Sequence, residues 1–345
     1  MEQEQGKHIA EALRHFGLDP ELPAKALNGG TANKNFVVRD EDGRAYILRQ
    51  RSAKYSGSDW IDYEERYLLH IGERGLPVPV PLAAPDGSRR CTIGAAVYQL
   101  LPYMGGQPFA MAANEQLAEA GAFLGRLHKA ADGFAPAAAK TLPRYDDPAA
   151  TAATLARVLA ERSGMEAGTL RTITYMLDWA ERIRQRVPDE AYNSLPHTIV
   201  HGDFHPANAA FQDGRVSALY DFDWISSQPR LRDIADLLIY FGAKRPEPID
   251  GGSIYSLVQG CTFDEARTEL ALQAYMNSAG EPLSREEAYA LPELMAARLL
   301  YSRVQALAKV PEDRAIGVLT EQVEETLAWL ERRGDWFADQ AAAAE

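Results

Sequence analysis

The chain has 345 residues, 46 % hydrophobic and 25 % charged, a balance that supports about two buried cores and excludes disordered or collagen-like architecture. Its 36 Lys and Arg stand against 49 Asp and Glu, and the formal charge of −13 argues against a general nucleic-acid binder while fitting a cationic small ligand. No apolar run approaches the roughly 20 residues of a membrane helix, and the N-terminus has acids where a signal peptide is basic, so a cytoplasmic protein without a membrane partner is expected. Cys91 and Cys261 are too few for a disulfide framework and read as reduced packing residues.

Ile9, Leu13 and Phe16 recur at helical spacing, and the chain then turns to alternating segments. The Asp-Gly pairs at 42–43, 86–87 and 213–214 each read as a hairpin tip, because both residue types tolerate positive φ. A helix is expected over Asp59 to Arg74, stopped by Gly75, after which LPVPVP (Leu76 to Pro81) forces extended backbone. Ala96 to Leu101 reads as a buried strand. The texture changes after Pro102, and a boundary near residue 103 divides the chain into 1–103 and 104–345. In the second part Leu117, Gly121, Leu124 and Leu127 mark a helix, and further Ala-, Leu- and Arg-rich amphipathic helices are expected near 149–163, 167–187, 264–279, 285–309 and 315–333. One β-like interlude, Thr198 to Trp224, interrupts them. The sum is an α+β chain with a small β-rich lobe and a large, mainly helical lobe, whose joint is a favoured place for a ligand cleft.

The interlude carries the densest polar chemistry: His201-Gly202-Asp203-Phe204-His205-Pro206-Ala207-Asn208, then Tyr220-Asp221-Phe222-Asp223-Trp224. Acids among apolar strand residues are costly unless paired or bound to metal. Two short strands turning at Asp213-Gly214 would return Asp221 beside Asn208. An Asn oxygen and an Asp carboxylate make a hard, incomplete oxygen site that suits Mg2+ completed by water and nucleotide phosphates. The free carboxylate of Asp203, one loop turn away, could accept a proton from a hydroxyl, and together these are the parts of phosphoryl transfer. Two other readings stand beside this one. His201, Asp203 and His205 alternate and could hold a metal in a hydrolase, and a chain of the same fold could bind nucleotide without catalysis.

HGDFHPAN, YDFDW and PRLRDIADLL (Pro229 to Leu238) resemble the core of the aminoglycoside phosphotransferase and choline kinase family. GGTANKNFVV (Gly29 to Val38), YILRQR (Tyr46 to Arg51) and GLPVPVP (Gly75 to Pro81) resemble its homoserine-kinase-like branch. The resemblance implies a protein-kinase-like two-lobed fold that binds ATP and Mg2+ between the lobes and phosphorylates a hydroxyl of a small acceptor: an amino alcohol such as homoserine, a choline-like compound or an aminoglycoside. It implies Asp203 as catalytic base, Asn208 and Asp221 as Mg2+ ligands, and His201, Asp223 and Asp233 as supports. In the small lobe it implies Arg49 as the phosphate-positioning base where protein kinases carry lysine, paired with Glu64 or its neighbour Glu65. Ile47 would roof the adenine, the backbone of Gln99 to Leu101 would bond it, and Gly29, Gly30 and Thr31 would bring N–H groups to phosphate. His128 reads as a packing or surface residue, and Trp60 and Tyr103 as aromatics that could face a cationic acceptor.

Overall fold

The computed structural model describes residues 2–27, 33–53, 56–136, 138–144, 146–161 and 164–342. The N-terminal part comprises α1 (Glu2–His15), β1 (Lys25–Ala26), β2 (Lys34–Arg39), β3 (Ala45–Gln50), α2 (Ser58–Gly72), β4 (Cys91–Ile93) and β5 (Ala96–Pro102). Its strands form an antiparallel sheet in the order β1-β2-β3-β5-β4. Strand alternation gives the sheet two faces. Phe36, Val38, Tyr46 and Leu48 are buried with Ala12, Leu13 and Phe16 of α1, while Val37, Ile47 and Arg49 point to the other side. Gly43, at φ +80°, closes the β2–β3 hairpin as expected. Asp86-Gly87 does not turn a hairpin: it makes a local turn in which Ala84 N–H reaches the Ser88 carbonyl, and β4 and β5 turn instead at Gly94, φ +59°.

The remainder comprises α3 (Asn114–Ala130), α4 (Pro148–Glu161), α5 (Ala167–Arg186), α6 (Asp189–Ser194), β6 (His197–Val200), β7 (Ala209–Gln212), β8 (Arg215–Leu219) and β9 (Ser226–Pro229). There follow α7 (Leu231–Asp236), which runs on as a π-helical turn over Leu237–Gly242, and α8 (Ile254–Val258). Last come α9 (Glu265–Ala279), α10 (Arg285–Ala306), α11 (Glu312–Thr320), α12 (Val323–Glu331) and α13 (Gly334–Ala342). The single helix expected over 315–333 is two, because Gln322 takes a left-handed conformation, φ +50°, between α11 and α12. The interlude extends past Trp224, since β9 pairs antiparallel with β6.

The second core centres on α10, whose Leu291, Leu294, Met295, Ala296 and Leu300 are buried around its circumference. A helix enclosed on all sides shows no apolar stripe, so it carries its own start signal instead: Ser284 and Glu287 form a reciprocal capping box. α2 belongs to this core through Tyr67 and Ile71, and so links the sheet to the helices. α3 and α9 lie close because α3 carries glycines on the shared face. A Cβ on Gly125 would stand 2.5 Å from the Tyr275 carbonyl oxygen and one on Gly121 2.3 Å from that of Ala271.

Adding one methyl to Gly125 is therefore expected to destabilise the fold by about 1–3 kcal/mol through overpacking. The same change at Gly317, a position in α11 where an added Cβ would meet nothing within 4 Å, should be neutral or stabilise by up to roughly 1 kcal/mol through helix propensity. Urea unfolding of Gly125→Ala and Gly317→Ala checks this; equal midpoints would refute the close α3–α9 contact.

Candidate active site

The loop after β6 and the β7–β8 hairpin bring the polar residues of the interlude together. Asp213 and Gly214, with φ of +51° and +76°, form the tip, and Ala209 pairs with Leu219. Tyr220 N–H donates to the Asn208 carbonyl at 2.8 Å, which sets Asn208 beside Asp221 as the hairpin interval requires. Asp221 is left-handed, φ +61°, a conformation unusual for a residue with a Cβ, and this turn exposes 40 % of its side chain. Asp223, by contrast, is buried.

Asp233 at the start of α7 holds the loop from behind. Its carboxylate accepts from His201 N–H at 2.6 Å and Gly202 N–H at 2.8 Å, and His128 Nε2 lies 3.0 Å away. Burial works to raise this carboxyl, but the hydrogen bond and charge of His128 outweigh it and hold it below its ordinary value. His128 is thus a buried bracket, its other nitrogen 3.0 Å from the Tyr275 hydroxyl. Gly202 must be glycine: its φ is +80°, and a Cβ there would lie 2.8 Å from the Trp224 carbonyl oxygen. His201 is buried, its Nε2 bonding the Tyr220 carbonyl at 2.8 Å and its Nδ1 accepting from Asp203 N–H at 3.3 Å. With both ring nitrogens committed to backbone, His201 is no metal ligand, which removes the His201/Asp203/His205 hydrolase reading.

Asp203 sits at the open side of this loop with 25 % of its side chain exposed. Arg298 of α10 reaches its Oδ1 at 3.3 Å, and His205 Nε2 lies 3.3 Å from its Oδ2. Burial pushes the carboxyl up, but His205 and Arg298 more than reverse that and hold it well below the usual carboxylate range. Asn208 Nδ2 donates to the Asp203 carbonyl at 2.9 Å and approaches Oδ2 at 3.5 Å. That orientation leaves Asn208 Oδ1 with no protein hydrogen bond among the described residues.

β3 and the residue after it supply the cations facing these acids. Arg49 follows Ile47 at an alternate position, and Arg51, whose N–H donates to the Val97 carbonyl at 2.8 Å, carries that alternation one residue past β3. Arg49 Nη2 bridges Asp221 Oδ1 at 3.2 Å and Asp223 Oδ1 at 3.0 Å, tying sheet to hairpin. The expected Arg49–Glu64 ion pair is not formed. Glu64 is buried between Arg51 at 2.6 Å and Lys140 at 2.7 Å, and Glu65 pairs with Arg90 and Gln99. The Asp221–Asp223 charge claims Arg49, which leaves Glu64 to Arg51. Lys140 also donates to the Asp223 carbonyl at 2.6 Å, and Asn33 Nδ2 donates to Asp223 Oδ2 at 2.6 Å. The two neighbouring acids are driven apart. Burial works to raise Asp223, but Arg49 and Arg51 outweigh it and hold that carboxyl low; burial and the Asp223 charge push Asp221 up.

The backbone expected to meet a base is engaged in the sheet. Gln99 and Leu101 pair with Arg49 and Ile47, and the Leu100 carbonyl accepts from Leu82 N–H at 2.8 Å. The Gln99 side chain is buried and bonds Arg51 and Glu65. The ladder runs on to Tyr103, whose N–H donates to the Ala45 carbonyl at 3.3 Å, so the Gln99 and Leu101 backbone lies within it. Gly29, Gly30 and Thr31 lie outside the described residues. Trp60 faces the protein's own Lys140, whose Nζ is 5.3 Å from the ring centroid, whereas Tyr103 is exposed. Concavity alone does not mark this site: two open cavities of about 550 and 500 Å3 lie elsewhere, one lined by Lys244 and Arg267, the other by Arg74 and Arg126.

Arg51, Lys140, Asn33, Asp236 and Arg298 were not found by sequence reasoning. Arg51 carried a signal, its two-residue offset from Arg49. Arg298 carried another, a charge inside the apolar run LMAARLL (Leu294 to Leu300), which demands a buried partner. Lys140 sits in a loop with no pattern to betray it.

Several known proteins resemble this chain. The homoserine kinase of Xanthobacter autotrophicus is 27 % identical over 292 residues, 82 % of this chain and 80 % of the relative. The homoserine kinases of Sinorhizobium fredii and Phenylobacterium zucineum are 25 % and 26 % identical, and the chain spans 61 % and 66 % of their lengths. Among solved structures, a microcompartment-associated aminopropanol kinase superposes with a TM-score of 0.65 at 15 % identity, covering 96 % of this chain and 98 % of the other. An amicoumacin kinase, solved with AMP-PNP, Ca2+ and its antibiotic, gives 0.64 at 14 % identity, covering 98 % and 93 %. These likenesses establish the two-lobed, protein-kinase-like α+β fold. Residues 23–271 match the model of the Phosphotransferase enzyme family, and the chain belongs to that family.

Proposed function

We propose that the protein transfers the γ-phosphate of Mg-ATP to a hydroxyl of a small amino alcohol, homoserine foremost, in a cleft between lobes 1–103 and 104–345. The observation that carries this reading is the Asp203 carboxylate, kept ionised by His205 and Arg298 and partly open to solvent beside Asn208 and Asp221. A carboxylate so placed can orient an acceptor hydroxyl and take its proton as the oxygen attacks, a role worth about 10²- to 10⁴-fold in rate.

The donor set fits magnesium. Asn208 Oδ1 lacks a protein partner among the described residues, and Asp221 carries the most open of the clustered carboxylates, its pKa raised by burial and by the Asp223 charge. Hard oxygens in an incomplete shell are what Mg2+ accepts. Bound there, the ion would neutralise charge on the nucleotide phosphates. Arg49, at the cleft wall, is placed to position phosphate, with Asp223 as its anchor. Arg51, Glu64 and Lys140 hold Asp223 and α2 in register behind it. Ile47 shares the Arg49 face and would cover the adenine, whose edge would meet linker backbone at the end of β5. His201 and Asp233 set the loop without touching substrate. Homoserine leads as acceptor because the homoserine kinases align over most of this chain, and an aminopropanol kinase shares the fold.

The first test is Mg2+-dependent ADP formation with L-homoserine, 1-amino-2-propanol, choline and an aminoglycoside. L-homoserine should raise turnover above an Asp203→Asn blank, and Asp203→Asn should lose about 10²- to 10⁴-fold while still binding Mg-ATP. Wild-type turnover in Asp203→Asn would remove Asp203 as the base. Asp221→Ala should weaken Mg2+-dependent ATP binding by at least about 10-fold, the scale on which even outer-shell changes act. Calorimetry with and without magnesium reads this directly; an unchanged titration would take Asp221 out of the metal shell.

A further inference from the structure

We infer that Arg298, backed by Asp236, is the positioning residue that fixes the direction of the Asp203 carboxylate toward the acceptor hydroxyl. The inference rests on Asp203 being the base. Arg298 lies mid-length in α10, the helix enclosed by the second core, and is itself buried. Its guanidinium is held on every side: Nε donates to Asp236 Oδ1 at 2.6 Å, Nη1 to Ser302 Oγ at 2.6 Å, and Nη2 to Asp203 Oδ1 at 3.3 Å. The Tyr240 ring lies against its face, 5.1 Å from Cζ to centroid. A fork so constrained cannot follow Asp203 to another rotamer, so it selects one.

Asp236 makes the fork rigid. Its carboxylate is fully buried, its Oδ2 has no hydrogen-bond partner among the described residues, and burial pushes its pKa up to about 6 against the pull of Arg298. A buried acid with a single cationic partner holds that partner tightly, since breaking the pair would strand a charge. The consequence falls on Asp203. Its Oδ1 is held by Arg298 while its Oδ2 faces His205 Nε2 at 3.3 Å and Asn208 Nδ2 at 3.5 Å, so the buried fork fixes one end of the carboxylate plane that an acceptor hydroxyl meets. Asp203 rides on a loop, and without the fork its carboxylate could turn about χ1. Misplacement of a reacting group by about 1 Å can cost on the order of 10²-fold in rate.

Removing Arg298 alone would strand Asp236, so the test variant replaces the whole buried pair by apolar residues, Arg298→Met with Asp236→Leu, a kind of exchange that is often neutral to stability. Thermal unfolding establishes that the variant folds. With L-homoserine as acceptor, kcat should fall about 10²-fold while the KM for Mg-ATP stays unchanged. Arg298→Lys, which leaves Asp236 a cationic partner but lacks the fork, should keep little of the wild-type kcat. A crystal structure of the double variant should show Asp203 turned from its present position. A folded double variant with wild-type kcat, or one whose Asp203 keeps its place 3.5 Å from Asn208 Nδ2, overturns the inference. Asp203→Asn separates the two failures. If it is inactive while the double variant is active, only the positioning role falls; if Asp203→Asn is active, the base assignment falls with it.

Discussion

Asp203, Asp221, Asp223, Asp233 and Asp236 come from one stretch of chain, and mutual repulsion among these carboxylates is the constraint on which the rest of the fold depends. Two unit charges 4 Å apart interact by about 4 kcal/mol at the effective dielectric near a protein surface, so such a cluster cannot stand unaided. Each of these acids meets a basic group. Arg49 of β3 takes Asp221 and Asp223, Arg51 adds to Asp223, His128 of α3 takes Asp233, and Arg298 of α10 spans Asp203 and Asp236. Elements far apart in sequence are thereby fixed around one loop. At Asp223, Asp233 and Asp236, which are buried, solvent screens these contacts little, so losing one partner leaves a buried charge uncompensated.

The partners are shared unevenly, and the unevenness sorts the acids by chemistry. Asp223 and Asp233 are buried and held low, and they act on backbone and on other side chains. Asp203 is held low yet open, which keeps it ionised where a ligand can reach it. Asp221 is pushed up by burial and by the Asp223 charge while its side chain remains the most exposed of the five. Environments that push neighbouring titratable groups in opposite directions are a usual mark of divided roles in an active site.

Much of this was legible from sequence, and what was not has physical reasons. The loop, the hairpin interval between Asn208 and Asp221, and the strand-rich start could be read because turn chemistry and period-2 alternation are local. The amphipathic face expected over 285–309 is absent, since α10 is buried on all sides and shows no apolar stripe. Gln322 in its left-handed turn gave no glycine to announce the break between α11 and α12. The partner of Glu64 was misjudged for a different reason. Strand alternation puts Arg49 and Arg51 on one face, and only the tertiary position of Asp221 and Asp223 decides which arginine each acid takes. Lys140 could not be foreseen, because its role depends on where a Pro- and Ala-rich loop crosses α2. Arg298 carries a readable signal, because a guanidinium within an apolar helical run requires a buried anion.

The acid cluster as a nucleotide and metal site is tested most directly by a crystal structure with magnesium and a non-hydrolysable ATP analogue. The expected result is a metal ion bound by Asn208 Oδ1 and the Asp221 carboxylate, with the phosphates against Arg49. Nucleotide bound away from this cleft, or a metal held without Asn208 and Asp221, would contradict it.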